Sequence, residues 1–142
     1  MLTCHAIPDC ISHTNYYPCS INEVRAITCN NPSSNDLLAA FQCNAPNQNI
    51  RSLKITGSES MSLITTSDLK QVLQLVGQGS GYTLQEIYIS HIFMNRLPEG
   101  FIDTRIFPQL ITLHLRNNHI YDFNPNAFQG IFYFFSSSIN KK

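Results

Sequence analysis

The apolar positions of this chain change rhythm from segment to segment, and the rhythm separates strand from helix. In "IRSLKITG" (50–57), "LQEIYIS" (84–90) and "LITLHLRNN" (110–118) the apolar residues flank a polar one. Leu53 and Ile55, Ile87 and Ile89, and Leu113 and Leu115 form three such pairs. A period of two predicts strands with one buried face. "EVRAITCNN" (23–31) reads as another short strand that ends in turn residues. Two segments change to helical spacing. In "SSNDLLAAFQC", Ser34 or Asn35 can cap, Asp36 suits the first turn, and Leu37, Leu38 and Phe41 share a face. In "LITTSDLKQVLQLVGQGSGYT", Thr66 or Ser67 can cap, Leu69, Val72, Leu73 and Val76 line one face, and Gly77 can stop the helix. Residues 1–18 read as irregular. "LPEGFI" and "NPNAFQG" are turns followed by apolar residues, and "IFYFFSSSINKK" has no period and no turn chemistry.

The three strands also repeat as a set. Ile50, Leu84 and Leu110 each stand at the same offset ahead of the pairs that begin at Leu53, Ile87 and Leu113. Steps of about 20–50 residues belong to stacked architectures. The most regular stretch, "FPQLITLHLRNNHI", matches "LxxLxLxxNxI" at Leu110, Leu113, Leu115, Asn118 and Ile120. It resembles the leucine-rich repeat. "FNPNAFQGI" resembles the second half of extracellular repeats, with Phe123, Ala127, Phe128 and Ile131 as the inward set. "RLPEGFIDT", with Leu97 and Phe101, does the same for the unit before it. The resemblance implies an α/β solenoid: a curved parallel sheet with short helices and loops on its convex side. One such unit cannot bury its own apolar edge, so units stack. It further implies that the Asn118 amide is buried and bonds backbone groups where the chain leaves the strand. In the unit before, Ile92 takes that asparagine's place, so its turn needs another partner.

Composition narrows the setting. Nine basic residues balance nine acidic ones, and charged residues make up 13% of the chain, about half the usual share. No basic excess is present to hold nucleic acid or an anionic membrane. No apolar run approaches the ~20 residues that span a bilayer. All five cysteines lie in the first third, at 4, 10, 19, 29 and 43. Clustered cysteines point to a cross-linked module and an oxidising compartment. "MLTCHAIPDC" lacks the apolar run of about 7–15 residues that a signal peptide needs. The expectation is therefore a secreted protein whose signal lies outside this sequence, and a fragment of a longer one.

The cysteine-rich start resembles the N-terminal cap of extracellular leucine-rich repeat proteins. The layout "YYPCSINEVRAITC…LLAAF…IRSLKIT" is similar to arthropod secreted forms, including those like the non-catalytic subunit of oplophorus-luciferin 2-monooxygenase. The resemblance implies a Cys19–Cys29 disulfide. Where those relatives have a second cysteine, this chain has Ile21, so Cys10–Cys43 and Cys4–Cys43 both stay open. The implied organisation is a cap over 1–49, about three repeats over 50–131, and a non-repeat tail over 132–142. A rival reading takes Cys4, His5, Cys10, His13 and Cys19 as zinc ligands of a cytosolic protein, although the short C-x₂₋₄-C knuckle is missing.

No G-x-S-x-G elbow, phosphate loop or H-E-x-x-H occurs, so neither catalysis nor a cofactor is expected. "GQGSG" (77–81) reads as a loop, since it follows a helix and no lysine follows it. His91, His114 and His119 fall near one sheet edge and read as solvated positions. Alternation leaves three columns on the sheet's free face: Ser52, Glu86 and Thr112; Lys54, Tyr88 and His114, beside Thr28; Thr56, Ser90 and Arg116. Tyrosine and arginine are enriched at binding hot spots. The expectation is a non-catalytic module that binds a protein through this concave face, centred on Tyr88 with Glu86, His114 and Arg116. The plain alternative is a solvated face without a partner. The resemblance also implies a second role, as accessory subunit of a secreted oxidative enzyme.

Overall fold

The computed structural model describes residues 10–44, 49–58, 64–103, 105–129 and 137–139. In chain order, a single 3₁₀ turn (Thr14–Tyr16) is followed by β1 (Ser20–Ile21), β2 (Ala26–Asn30), α1 (Ser34–Asn44), β3 (Ser52–Thr56), α2 (Thr66–Ser80) and β4 (Glu86–Ser90). Then come β5 (Arg96–Leu97), β6 (Ile102–Asp103), β7 (Thr112–Arg116), β8 (Asp122–Phe123), β9 (Phe128–Gln129) and β10 (Ser137–Ile139). The fold is mixed α/β. Its main sheet has the order β1-β2-β3-β4-β7-β10, antiparallel only between β1 and β2.

The alternating pairs explain the sheet. Ile27, Leu53, Ile87 and Leu113 lie opposite one another, as do Cys29, Ile55, Ile89 and Leu115. These two ladders are buried throughout and meet the apolar faces of both helices, Leu37, Ala40 and Phe41 from α1 and Leu69, Val72, Leu73 and Val76 from α2. Burying a side chain of this size stabilises by about 1.5–3 kcal/mol. The first ladder runs Ile27, Leu53, Ile87, Leu113 and then Ser137, in unequal steps along the chain, of which Leu53 to Ile87 is the longest. The last rung was not expected: Ser137–Ile139 pairs in parallel with β7 although the tail carries no apolar alternation. Two-residue strands also pair after β4 and β7, β5 with β8 and β6 with β9.

The helix ends depart from the sequence expectation by small, explicable amounts. Ser33 Oγ accepts from the Asp36 amide at 3.2 Å, and Thr65 Oγ1 accepts from the Asp68 amide at 3.1 Å. Each cap therefore sits one residue ahead of the earliest expected one, and Ser34 and Thr66 already lie inside the helices. Asp36 and Asp68 then stand in first turns, where a negative charge suits the helix dipole. At the other end Gly77 does not stop α2. The helix runs through "GQGS" to Ser80, so this stretch is a helical turn and not the expected loop. Gly77 and the following Gly81 serve close packing. A Cβ on Gly77 would lie 2.5 Å from Ile106 Cγ2, and one on Gly81 would lie 2.7 Å from the Ile106 carbonyl oxygen. Ser80 ties this helix end to the approach to β3, its buried Oγ accepting from the Ile50 amide at 2.9 Å.

Gly81→Ala is accordingly expected to destabilise the protein by about 1–3 kcal/mol, because the clash is with backbone. Gly77→Ala should cost less, since it meets a side chain that is 43% exposed and can turn aside. Urea denaturation of the two variants checks the order. Equal midpoints for Gly81→Ala and wild type would mean that the Ile106 carbonyl stands farther from α2.

The N-terminal region is cross-linked twice. Cys19 is joined to Cys29, the pair that the resemblance implies, and Cys10 to Cys43, one of the two pairings that spacing left open. Cys4 and His5 lie outside the described residues. With Cys10 and Cys19 in disulfides, the rival set of zinc ligands is not assembled, and His13 instead places Nδ1 2.7 Å from the Tyr17 carbonyl oxygen. The Asn44 amide nitrogen donates to the His13 and Ala40 carbonyls at 2.7 Å each, which holds the first turns against α1. Tyr16 packs edge-on against Phe41, with centroids 5.2 Å apart. Disulfides of this kind suit an oxidising compartment. Among the described residues no helix is long and apolar enough to cross a membrane.

Candidate functional site

The residues between the buried rungs turn to the opposite side of the sheet, and none of them is buried. The three columns read from alternation are in register there: Ser52–Glu86–Thr112, Lys54–Tyr88–His114 with Thr28 beside Lys54, and Thr56–Ser90–Arg116. Adjacent strands lie about 4.7–4.9 Å apart, so neighbouring side chains in a column can touch. Tyr88 and His114 do so as stacked rings, with centroids 4.9 Å apart and planes 25° apart. The Tyr88 hydroxyl donates to Glu86 Oε2 at 3.4 Å. Partial burial, with the charge and hydrogen bond of Glu86 added, raises the Tyr88 pKa above its ordinary value. The phenol is therefore neutral at physiological pH, an aromatic surface with a hydrogen-bonding tip rather than a nucleophile.

Of the four residues singled out by sequence, Glu86, Tyr88 and His114 thus form one contiguous cluster. Arg116 lies one column away at the end of β7, exposed, opposite Ser90. The cluster offers an acceptor, a flat aromatic pair and flanking hydroxyls from Ser90 and Thr112.

The three histidines expected at one edge are separated. His114 sits mid-strand on the sheet face, whereas His91 and His119 lie in the turns after β4 and β7. Both of these have positive φ, 59° and 53°. His119 stacks on Phe93, with centroids 4.5 Å apart and planes 10° apart, and Phe93 is 48% exposed. Sequence reading missed this second aromatic pair. The signal was available in the spacing, because Phe93 follows Ile87 at the same offset at which His119 follows Leu113.

Beneath the face, Asn118 fixes the exits of two strands. It is fully buried, its amide nitrogen donates to the Ile89 carbonyl at 2.8 Å, and its amide oxygen accepts from the Ile92 amide at 3.0 Å. The turn that lacks its own asparagine is thus completed from the following strand. Ile120 re-enters the core as expected, as do Leu97, Phe101 and Ala127, while Phe128 is partly buried. Ile131 lies outside the described residues.

Among the described residues, no group of three or more His, Cys, Asp or Glu side chains is placed to hold a metal ion. Comparison with family models, with curated proteins and with solved structures returned no match.

Proposed function

We propose that the chain is a leucine-rich repeat solenoid with a disulfide-linked N-terminal cap, part of a secreted protein, and that it binds a protein partner through its concave sheet face without catalysis. One observation carries this reading: four five-residue strands hold a single register over unequal crossovers, and so present the same outward columns strand after strand. The buried asparagine at the strand exit and the "LxxLxLxxNxI" spacing support the repeat assignment. The stacked Tyr88 and His114, with Glu86 bonded to the tyrosine, supply the aromatic centre that protein interfaces favour. Three repeats give a small patch, so affinity is modest.

The test is a binding measurement against a partner captured with the chain from a secreted fraction. Tyr88→Ala and Arg116→Ala should each weaken binding by more than about 1 kcal/mol while the domain stays folded, with Tyr88→Ala lowering stability by no more than about 1 kcal/mol, the cost of losing its stack on His114. If neither variant changes affinity and substitutions on the exposed side of α2 abolish it, the binding surface is the helical side instead.

A further inference from the structure

The two disulfides differ in reach and in what they hold. Cys19 and Cys29 are buried, at 5% and 0% exposure, whereas Cys10 is exposed and Cys43 partly so. Cys10–Cys43 closes a separation of 33 residues, against 10 for Cys19–Cys29. The longer link removes more freedom from the chain, so its loss returns more. Between Cys10 and Cys19 the chain has no element longer than the 3₁₀ turn. Asn15 and Tyr16 stand there at positive φ, 51° and 66°, a conformation that a tyrosine adopts at a cost. The Tyr16 ring packs against Phe41, yet its hydroxyl is buried with no hydrogen-bond partner among the described residues. Release would let this backbone relax and bring water to the hydroxyl. The bond at Cys10 and the Asn44 donation to the His13 carbonyl work against release. The main sheet begins only at Ser20, so no rung runs through this segment.

We propose that Cys10–Cys43 is a thiol-sensitive latch: a small thiol opens it while Cys19–Cys29 persists, and opening frees residues 11–18 from α1 and uncovers the side of Phe41 that Tyr16 covers. Access decides which bond reacts, because exchange needs a thiolate to reach a disulfide sulfur. The thiolate attacks the exposed Cys10 sulfur, the bond to Cys43 breaks, and Cys43 leaves as a thiolate. A second small thiol attacks the mixed disulfide on Cys10 and departs joined to the first. Two electrons pass from the two small thiols to the cysteine pair, and their two protons end on Cys10 and Cys43. The sheet and its outward columns stay paired throughout, since the freed segment carries none of their strands. An apolar surface beside the end of α1 is then available only under reducing conditions.

The probe is reduced glutathione, titrated into the whole chain after iodoacetamide has blocked any thiol already free. N-ethylmaleimide then marks the cysteines that open, and peptide mapping identifies them. Cys10 and Cys43 should be marked at a glutathione concentration at least about tenfold below that which opens Cys19 and Cys29. At that point the amides of His13 and Tyr17, bonded to the Cys10 and Thr14 carbonyls, should exchange hydrogen at least about tenfold faster, while the amides of β3 and β4 keep their protection. The double variant Cys10→Ser, Cys43→Ser should show the same exchange pattern without glutathione. Marking of all four cysteines in one step overturns the latch, because neither bond is then the more reachable. Selective marking with exchange at His13 and Tyr17 unchanged also overturns it and leaves the bond a passive staple. Faster exchange in β3 or β4 under selective opening overturns the confinement of the change to the cap.

Discussion

Leu113→Ala and Leu115→Ala are each expected to destabilise the protein by about 2–5 kcal/mol, while His114→Ala between them costs about 1 kcal/mol or less. Both leucines are fully buried rungs, packed sideways against Ile87 and Ile89. Truncating either leaves a void in a ladder whose neighbours are fixed by backbone pairing and cannot close in. His114 is half-buried on the other face, and its loss removes only a ring stacked on Tyr88. Urea midpoints of the three variants measure the contrast. A histidine variant as damaging as either leucine variant would place β7 one residue out of register, with the face assignment inverted.

Asn118→Ala is expected to be comparably severe, at about 2–5 kcal/mol, although it removes a polar residue. The substitution leaves the Ile92 amide buried without a partner, takes one of two donors from the Ile89 carbonyl, which keeps its ladder bond to β7, and opens a void; an unsatisfied buried group alone costs about 1–3 kcal/mol. Asn118→Asp should not rescue. A carboxylate can accept from the Ile92 amide, but it cannot donate to the Ile89 carbonyl and brings a charge into a fully buried site. Thermal unfolding measures the loss, and hydrogen exchange at the Ile92 amide localises it. A loss within about 0.5 kcal/mol for Asn118→Ala would mean that water satisfies both groups at that bend.

What could be read in advance follows from how much of each element's free energy is local. The five-residue strands announced themselves because one buried face imposes strict alternation, and that alternation also placed Glu86, Tyr88 and His114 on one side. The end of α2 was misread because a glycine near a helix end has two uses. Gly77 resembles a stop signal, yet it is a contact point for Ile106 and Phe107, which are distant in sequence. The two-residue strands β5, β6, β8 and β9 are too short to carry a period. β10 pairs through its backbone, and backbone pairing leaves no mark on a run of serines. The stacking of Tyr88 on His114 depends on ring orientation, which register alone does not determine. Cys10–Cys43 was undecided because the choice of partner depends on α1 bringing its last turn to residues 10–13, which is a tertiary fact.

The unequal rungs bear on how such a chain can change over time. The path between consecutive rungs is shortest from Leu113 to Ser137 and longest from Leu53 to Ile87, yet every five-residue strand pairs without a slip. The longest path is the one that contains α2. Doubling a loop adds only about 0.6 kcal/mol of closure entropy, whereas moving a strand by one residue turns its whole buried set outward. Insertions and deletions are therefore tolerated between strands and purged within them. The back of the molecule can drift in length and composition while the columns of the front keep their places, so lineages of this protein should diverge first in the segment between Thr56 and Glu86 and last in the spacing of the outward residues.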